Sequence, residues 1–170
     1  MIVLISGTTH TGKTVLAQRL MERYKMPYFC IDHLKMGLIR SGQTRLSAND
    51  DTELVPYLWS IVKEMIKTAI ENGQNLIIEG CYIPFDWQKD FNESYLDQIK
   101  FYCLIMTADY IENNLPDIIK FENVIEKRLG ADTLNKNELI IDNARNLRLC
   151  KKYGLSYVLI DKVYDVDINL

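Results

Sequence analysis

The chain has 170 residues, 48% hydrophobic and 25% charged, with a net charge of −3. That is one globular domain's worth, large enough to bury roughly 70% of its unfolded surface without a disulfide or metal staple. The acidic balance argues against a broad nucleic-acid binder, which presents a basic face, and no apolar run reaches the roughly 18 residues of a membrane-spanning helix.

The elements alternate in type along the chain. Ile2-Val3-Leu4-Ile5 is wholly apolar, as in a buried parallel strand, and lacks the basic flank of a signal peptide. Thr14–Tyr24 reads as a helix with Val15, Leu16, Leu20 and Met21 on one side. After Pro27, Tyr28–Ile31 reads as a second strand, and His33–Arg40 as a short helix closed by Gly42. Residues 41–52 are polar and loop-like. Leu54, Leu58, Val62, Met65, Ile66 and Ala69 then form one apolar stripe that stops at Asn72-Gly73. Pro56 is expected in the first turn of that helix, where a missing N–H matters least. Leu76-Ile77-Ile78 reads as a third strand and Phe101–Met106 as a fourth, with a helix near Phe85–Phe91 between them. Residues 109–128 read as helix broken by Pro116, and 129–136 as a polar loop around Gly130. Glu138–Tyr153 reads as a helix ended by Gly154, Tyr157–Ile160 as a fifth strand, and the tail to Leu170 as short and strand-like.

No repeat or linker interrupts this pattern. Strands alternating with helices predict a single α/β domain over residues 1–170 with a parallel sheet. Its strands' carboxyl ends then share one ligand-binding edge. The four cysteines, Cys30, Cys81, Cys103 and Cys150, are widely spaced, and Cys30 and Cys103 fall in strand-like runs as small buried hydrophobes. With only His10 and His33 besides, a zinc cluster has little to draw on. These features predict a reduced, cytoplasmic protein.

Gly7-Thr8-Thr9-His10-Thr11-Gly12-Lys13-Thr14 matches G-x-x-x-x-G-K-[ST] in full, with a strand before it and a helix after it. Such a match arises by chance in fewer than about one chain in a hundred of this length. The glycines let successive backbone N–H groups turn toward a polyphosphate, and the helix N-terminus adds its positive dipole end. Residues Gly7 through Val15 are therefore expected to cradle nucleotide phosphates. Lys13 is placed to bridge β- and γ-phosphates, and Thr14 to ligate Mg²⁺. His10 is read as donating its backbone N–H, with a catalytic imidazole as the minority reading.

Two acids follow strands. Asp32 ends the second strand, where a carboxylate can take a proton from a substrate hydroxyl or hold water on Mg²⁺; helix capping is its structural alternative. Glu79-Gly80 ends the third strand, a position for metal or substrate, with a solvent-facing strand end as the alternative. Lys35 and Arg40 follow the second strand and could meet an anionic substrate, as could Arg45. Arg128, beside Lys127, is the preferred arginine for the moving phosphoryl group, with Arg145 and Arg148 next; a solvated surface charge is the commoner fate of each. Asp50, Asp51 and Glu53 read as helix N-terminal charges complementing the dipole.

With these residues the chain resembles the small P-loop kinases of the adenylate-kinase-like group. The resemblance implies a three-layer α/β/α P-loop NTPase fold, strand order 2-3-1-4-5, ATP and Mg²⁺ as cofactors, and an arginine-bearing lid over roughly 107–137. Ile77-Ile78-Glu79-Gly80-Cys81-Tyr82-Ile83-Pro84 is similar to the acid-glycine segment of 2-phosphoglycerate-kinase-like proteins. It departs from the D-G-F-P-R of nucleoside-monophosphate kinases, because no arginine stands close behind Glu79-Gly80. No clear helix follows the fifth strand, which leaves the choice between ATP and GTP open. The expected activity is ATP-dependent phosphorylation of a small-molecule acceptor at a hydroxyl, with no nucleic-acid or membrane partner. Lys13, Asp32 and Arg128 are the expected catalytic residues. Asp32, Lys35, Arg40, Glu79 and Gly80 are expected to bind the acceptor, and Thr14, Asp32 and Glu79 the metal. A nucleoside-monophosphate kinase and a nucleotide-binding regulatory protein are the alternatives.

Overall fold

The computed structural model describes residues 1–120 and 134–170. Along the chain come β1 (Ile2–Gly7), α1 (Lys13–Tyr24), β2 (Tyr28–Cys30), α2 (Ile31–Arg40), α3 (Asp51–Glu71) and β3 (Leu76–Glu79). A 3-10 turn (Trp87–Asp90) follows, then α4 (Glu93–Leu96), β4 (Ile99–Met106), α5 (Ala108–Lys120), α6 (Lys136–Tyr153) and β5 (Tyr157–Ile160). The strands form one sheet in the order β2-β3-β1-β4-β5, every pairing parallel.

β1 is central, and all six of its residues are buried. Successive side chains leave a strand on opposite faces. Ile2 and Leu4 accordingly enter a core with Ile31, Leu54, Leu58, Val62 and Ile66. Val3 and Ile5 enter a second core with Leu16, Leu20, Ile111 and Ile160. Two cores, one on each face, make the three α/β/α layers. Each fully buried leucine or isoleucine contributes about 1.5–3 kcal/mol to that packing. Cys30, Cys103 and Cys150 are buried as expected of small apolar groups, and Cys81 is exposed.

The structure corrects the sequence reading at several places. α3 begins at Asp51, before its apolar stripe, so Pro56 sits in the second turn rather than the first. Asp50 stands at its N-cap and Asp51 and Glu53 lie in its first turn, as expected of helix N-terminal charges. The second strand ends at Cys30, and Ile31 and Asp32 belong to α2. Only a 3-10 turn stands where a helix was expected near Phe85–Phe91. There Trp87 stacks on Phe101 and meets Phe91 edge-on, so ring packing rather than helical periodicity sets the backbone. α5 loses helical geometry at Asn114, just ahead of Pro116, whose ring and missing N–H break the ladder. The Asn114 amide donates to the Tyr110 carbonyl at 2.9 Å, re-using one freed acceptor.

The C-terminal tail forms no strand. It runs along α1 instead. Arg23 grips the Asp167 carboxylate with two bonds of 2.9 Å, and Arg19 donates to the Val166 carbonyl at 3.4 Å. Val166 and Ile168 are buried against that helix. The tail's apolar residues meet a helix rather than a sheet. Among the described residues no helix is long and apolar enough to cross a membrane.

Candidate active site

β1 brings the chain to Gly7 at the carboxyl edge of the sheet, and α1 carries it away from Lys13. The loop between them turns back on itself. Gly12 caps α1 at φ 81°. A Cβ there would lie 1.8 Å from the Tyr164 hydroxyl, so a larger residue would displace that side chain as well as strain the backbone. That phenol comes from the tail and donates to the Thr11 carbonyl at 3.2 Å. His10 is left-handed at φ 62° without being glycine, a conformation that costs about 1–3 kcal/mol and persists where surroundings hold it. Its Nδ1 lies 2.9 Å from Thr9 Oγ1. Val15 follows in the first turn of α1, half-buried.

Lys13 is almost fully buried and donates to the Thr8 carbonyl at 2.7 Å. The same carbonyl accepts from Thr11 Oγ1 at 2.9 Å. Burial works against the lysine's charge. The Cys81 thiol, the Glu79 carboxylate and the Asp32 carboxylate work for it and prevail, holding the ammonium above its ordinary range. Thr14 donates to Glu79 Oε1 at 3.1 Å. Glu79 pairs in register with both Ile5 and Cys30, which places it between the ends of β1 and β2. It is 1% exposed. Burial pushes its carboxyl above the ordinary carboxylate range. Lys13, the Cys30 thiol and the Thr14 hydroxyl pull the other way without cancelling that.

Asp32 sits across from these groups in the first turn of α2, neither ending a strand nor capping the helix. Gly80 permits the approach, because a Cβ on it would lie 2.9 Å from the Ile31 Cβ. Asp32 pairs with Lys35 at 3.0 Å. Lys35 also donates to the Tyr82 hydroxyl at 2.7 Å, and Tyr82 donates to Asp51 at 2.9 Å. This chain ties α2, the segment after β3 and the start of α3 together. Burial opposes the Lys35 charge, but the Tyr82 and Asp32 contacts outweigh it and hold the ammonium up. Burial likewise raises the Tyr82 phenol.

The structure thus brings together Lys13, Thr14, Asp32, Lys35, Glu79 and Gly80. Arg40 lies exposed in the last turn of α2, and Arg45 lies exposed in the loop beyond. Arg145 and Arg148 are exposed on α6. At ~100° per residue they point 200° and 140° away from Asn143, the α6 residue that faces the loop. Lys127, Arg128 and Gly130, and with them much of the expected lid, lie outside the described residues.

Five further residues touch this site and were not legible as functional. Cys81 lies against Lys13. Tyr82 and Asp51 extend the Lys35 contacts, and Tyr164 covers Gly12. Asn143 is 1% exposed; its amide donates to Thr8 Oγ1 at 3.0 Å and its carbonyl accepts the Met106 N–H at 2.8 Å. The available signal for Asn143 was a polar residue between buried Leu139 and Cys150 on one helix.

Among the described residues no trio of histidine, cysteine or acidic side chains is set to hold a metal ion by itself. The convergent donors are a hydroxyl on Thr14 and carboxylates on Glu79 and Asp32. These are hard oxygens and few in number. That set fits Mg²⁺, which keeps several waters and borrows phosphate oxygens, better than a cation needing a full protein cage.

No protein-family model matches the chain, and no curated protein matches it. Solved structures do. A provisionally assigned kinase from Chloroflexus aurantiacus J-10-fl is 16% identical, over 98% of this chain and 91% of that one, with a TM-score of 0.56. A chain of the PezAT chromosomal toxin–antitoxin system of Streptococcus pneumoniae is 12% identical, over 95% and 66%, with a TM-score of 0.53. Shikimate kinase from Bacteroides thetaiotaomicron is 14% identical, over 95% and 85%, with a TM-score of 0.50. The fold is that of the P-loop kinases. Identities this low carry the fold and leave the chemistry to be argued from the site.

Proposed function

We propose that this protein is an ATP- and Mg²⁺-dependent kinase that phosphorylates a hydroxyl group of a small molecule. The observation that carries the reading is the convergence of Lys13, Thr14 and Glu79 at the end of the phosphate loop, with Asp32 facing them from α2. Lys13 stays charged in a buried place, where a cation acts most strongly on phosphate oxygens. Bound Mg²⁺ would neutralise phosphate charge and orient the donor. Thr14 and Glu79 would hold it. Asp32 would accept the hydroxyl proton as the acceptor oxygen bonds to phosphorus and ADP departs. Arg128 is the preferred cation for the moving phosphoryl group, and Arg145 or Arg148, exposed on α6, would need to move toward the phosphates to assist it. Four free cysteines fit a reducing compartment such as the cytoplasm.

A hydroxyl acceptor is favoured over a nucleotide acceptor because no arginine stands close behind Glu79-Gly80, and Arg40 and Arg45 are exposed. A nucleotide phosphate is already anionic and needs a cationic grip rather than a base. Thermal-shift titration tests the donor half of this reading. Mg·ATP is expected to raise the Tm saturably, and no shift with any nucleoside triphosphate would contradict it.

Two further outcomes are expected. The first concerns Cys81, the one exposed cysteine of the four. N-ethylmaleimide should add a single equivalent to the native protein by mass spectrometry, and none to Cys81→Ser. Mg·ATP should slow the addition, because the thiol lies against Lys13. Labelling at an unchanged rate would place the nucleotide elsewhere.

The second concerns pH. Burial makes Glu79 hold its proton at a higher pH than an ordinary carboxylate, and a protonated carboxyl does not ligate metal. The Mg²⁺ concentration for half-maximal activity should be flat above that raised pKa. Below it, the requirement should rise about tenfold per pH unit. A requirement independent of pH down to the ordinary carboxylate range would remove Glu79 from the metal site.

A further inference from the structure

β1 leaves the sheet before β4 does. Its last pairing joins Gly7 to Leu104, while β4 runs on to Met106. Cys103 and Thr107 donate their N–H groups to the Ser156 and Ile160 carbonyls on the β5 side. The N–H groups along a strand alternate in direction, so that of Met106 faces the place β1 has vacated in turning into the phosphate loop. A buried N–H there needs an acceptor from elsewhere.

Asn143 of α6 supplies it. Its side-chain carbonyl accepts the Met106 N–H at 2.8 Å. Its amide nitrogen donates to the Leu139 carbonyl, one turn back on the same helix, at 2.8 Å and to Thr8 Oγ1 at 3.0 Å. The carbonyl and both amide hydrogens are thus engaged, one with the sheet, one with the helix and one with the loop. The Met106 and Leu139 bonds suffice to seal the end of a sheet. The bond to Thr8 goes beyond that purpose.

Thr8 is where the contacts of the loop meet. Its carbonyl accepts from Lys13 Nζ at 2.7 Å and from Thr11 Oγ1 at 2.9 Å. The peptide is planar and trans, so a fixed Thr8 carbonyl also fixes the Thr9 N–H, which points the opposite way. We propose that Asn143 is a positioning residue for the phosphate loop. By gripping the Thr8 side chain it sets the Thr8–Thr9 peptide, and through that peptide Lys13 and one backbone donor, in the orientation a nucleoside triphosphate requires. At 1% exposed it touches no ligand itself. The inference rests on the reading of residues 7–14 as the nucleotide site.

Calorimetric titration with Mg·ATP tests it on four variants. Asn143→Ala should weaken binding by roughly three- to tenfold, the worth of one neutral hydrogen bond. It should also lower the Tm whatever its role, because the Met106 N–H loses its acceptor. Thr8→Val leaves the Met106 and Leu139 bonds in place and removes only the hydroxyl, so it keeps the test decisive even where Asn143→Ala fails to fold. It should weaken Mg·ATP by a similar factor with a Tm near wild type. Thr8→Ser, which restores the hydroxyl, should bind as wild type. The Asn143→Ala, Thr8→Val double variant should bind no more weakly than Asn143→Ala, because both changes remove the same bond. Wild-type affinity in Thr8→Val or in folded Asn143→Ala would overturn the proposal, as would equal weakening by Thr8→Ser or additive losses in the double variant. A wild-type protein that binds no Mg·ATP would instead overturn the nucleotide reading, and this inference with it.

Discussion

Lys13→Ala is expected to weaken Mg·ATP binding by roughly ten- to a hundredfold, the loss of one hydrogen-bonded charge worth about 1.5–3 kcal/mol. The lysine is nearly buried beside Glu79 and Asp32, so its removal also changes the protein without ligand. Glu79 loses the cation that most opposes its burial, and its carboxyl moves further up. A carboxyl whose pKa is raised by folding favours the folded state below its unfolded pKa. That contribution is lost as pH rises through the folded value. The variant should therefore fold, with a Tm deficit that grows from acid toward neutral pH. Calorimetric titration with Mg·ATP and thermal melts over a pH series measure both effects. Wild-type ATP affinity in the folded variant would remove Lys13 from the nucleotide site.

Asp32→Asn is expected to leave Mg·ATP binding intact and to lower phosphoryl transfer by roughly a hundred- to ten-thousandfold, the span of a lost general base. The structural alternative predicts something different. The Asp32 side chain is 42% exposed, and its pairing with Lys35 at 3.0 Å is a partly solvated contact between neighbouring turns. Such pairs contribute about 1 kcal/mol or less. As a residue of the first turn of α2 it adds a similar amount through the helix dipole. A role confined to these contacts would lower the Tm slightly and leave kcat unchanged. A large fall in kcat with a Tm close to wild type is the result expected here. Full activity would reduce Asp32 to a helix-terminal charge.

The phosphate loop was legible because its requirements are local. Two glycines, a lysine and a threonine at fixed spacing suffice, and the strand and helix on either side confirm the setting. Glu79 was legible for a related reason, since an acid closing an apolar strand stands out against its neighbours. Asp32 was legible as an acid near the edge but not in its setting. Ile31 reads as the end of a strand, and only the approach of Gly80 reveals it as the start of α2. The contacts among Lys35, Tyr82 and Asp51 join three elements far apart in sequence. No periodicity reports such a meeting. The same holds for Tyr164, whose hydroxyl reaches Gly12 from the other end of the chain.

Transfer of labelled γ-phosphate from ATP measures the central claim most directly. The acceptor panel should pair hydroxyl compounds, namely sugar acids, nucleosides and amino alcohols, with AMP, CMP, UMP and dTMP, each with and without Mg²⁺. The account predicts Mg²⁺-dependent label on a hydroxyl compound, lost in both Lys13→Ala and Asp32→Asn. Efficient labelling of a nucleoside monophosphate, undiminished in Asp32→Asn, would contradict it.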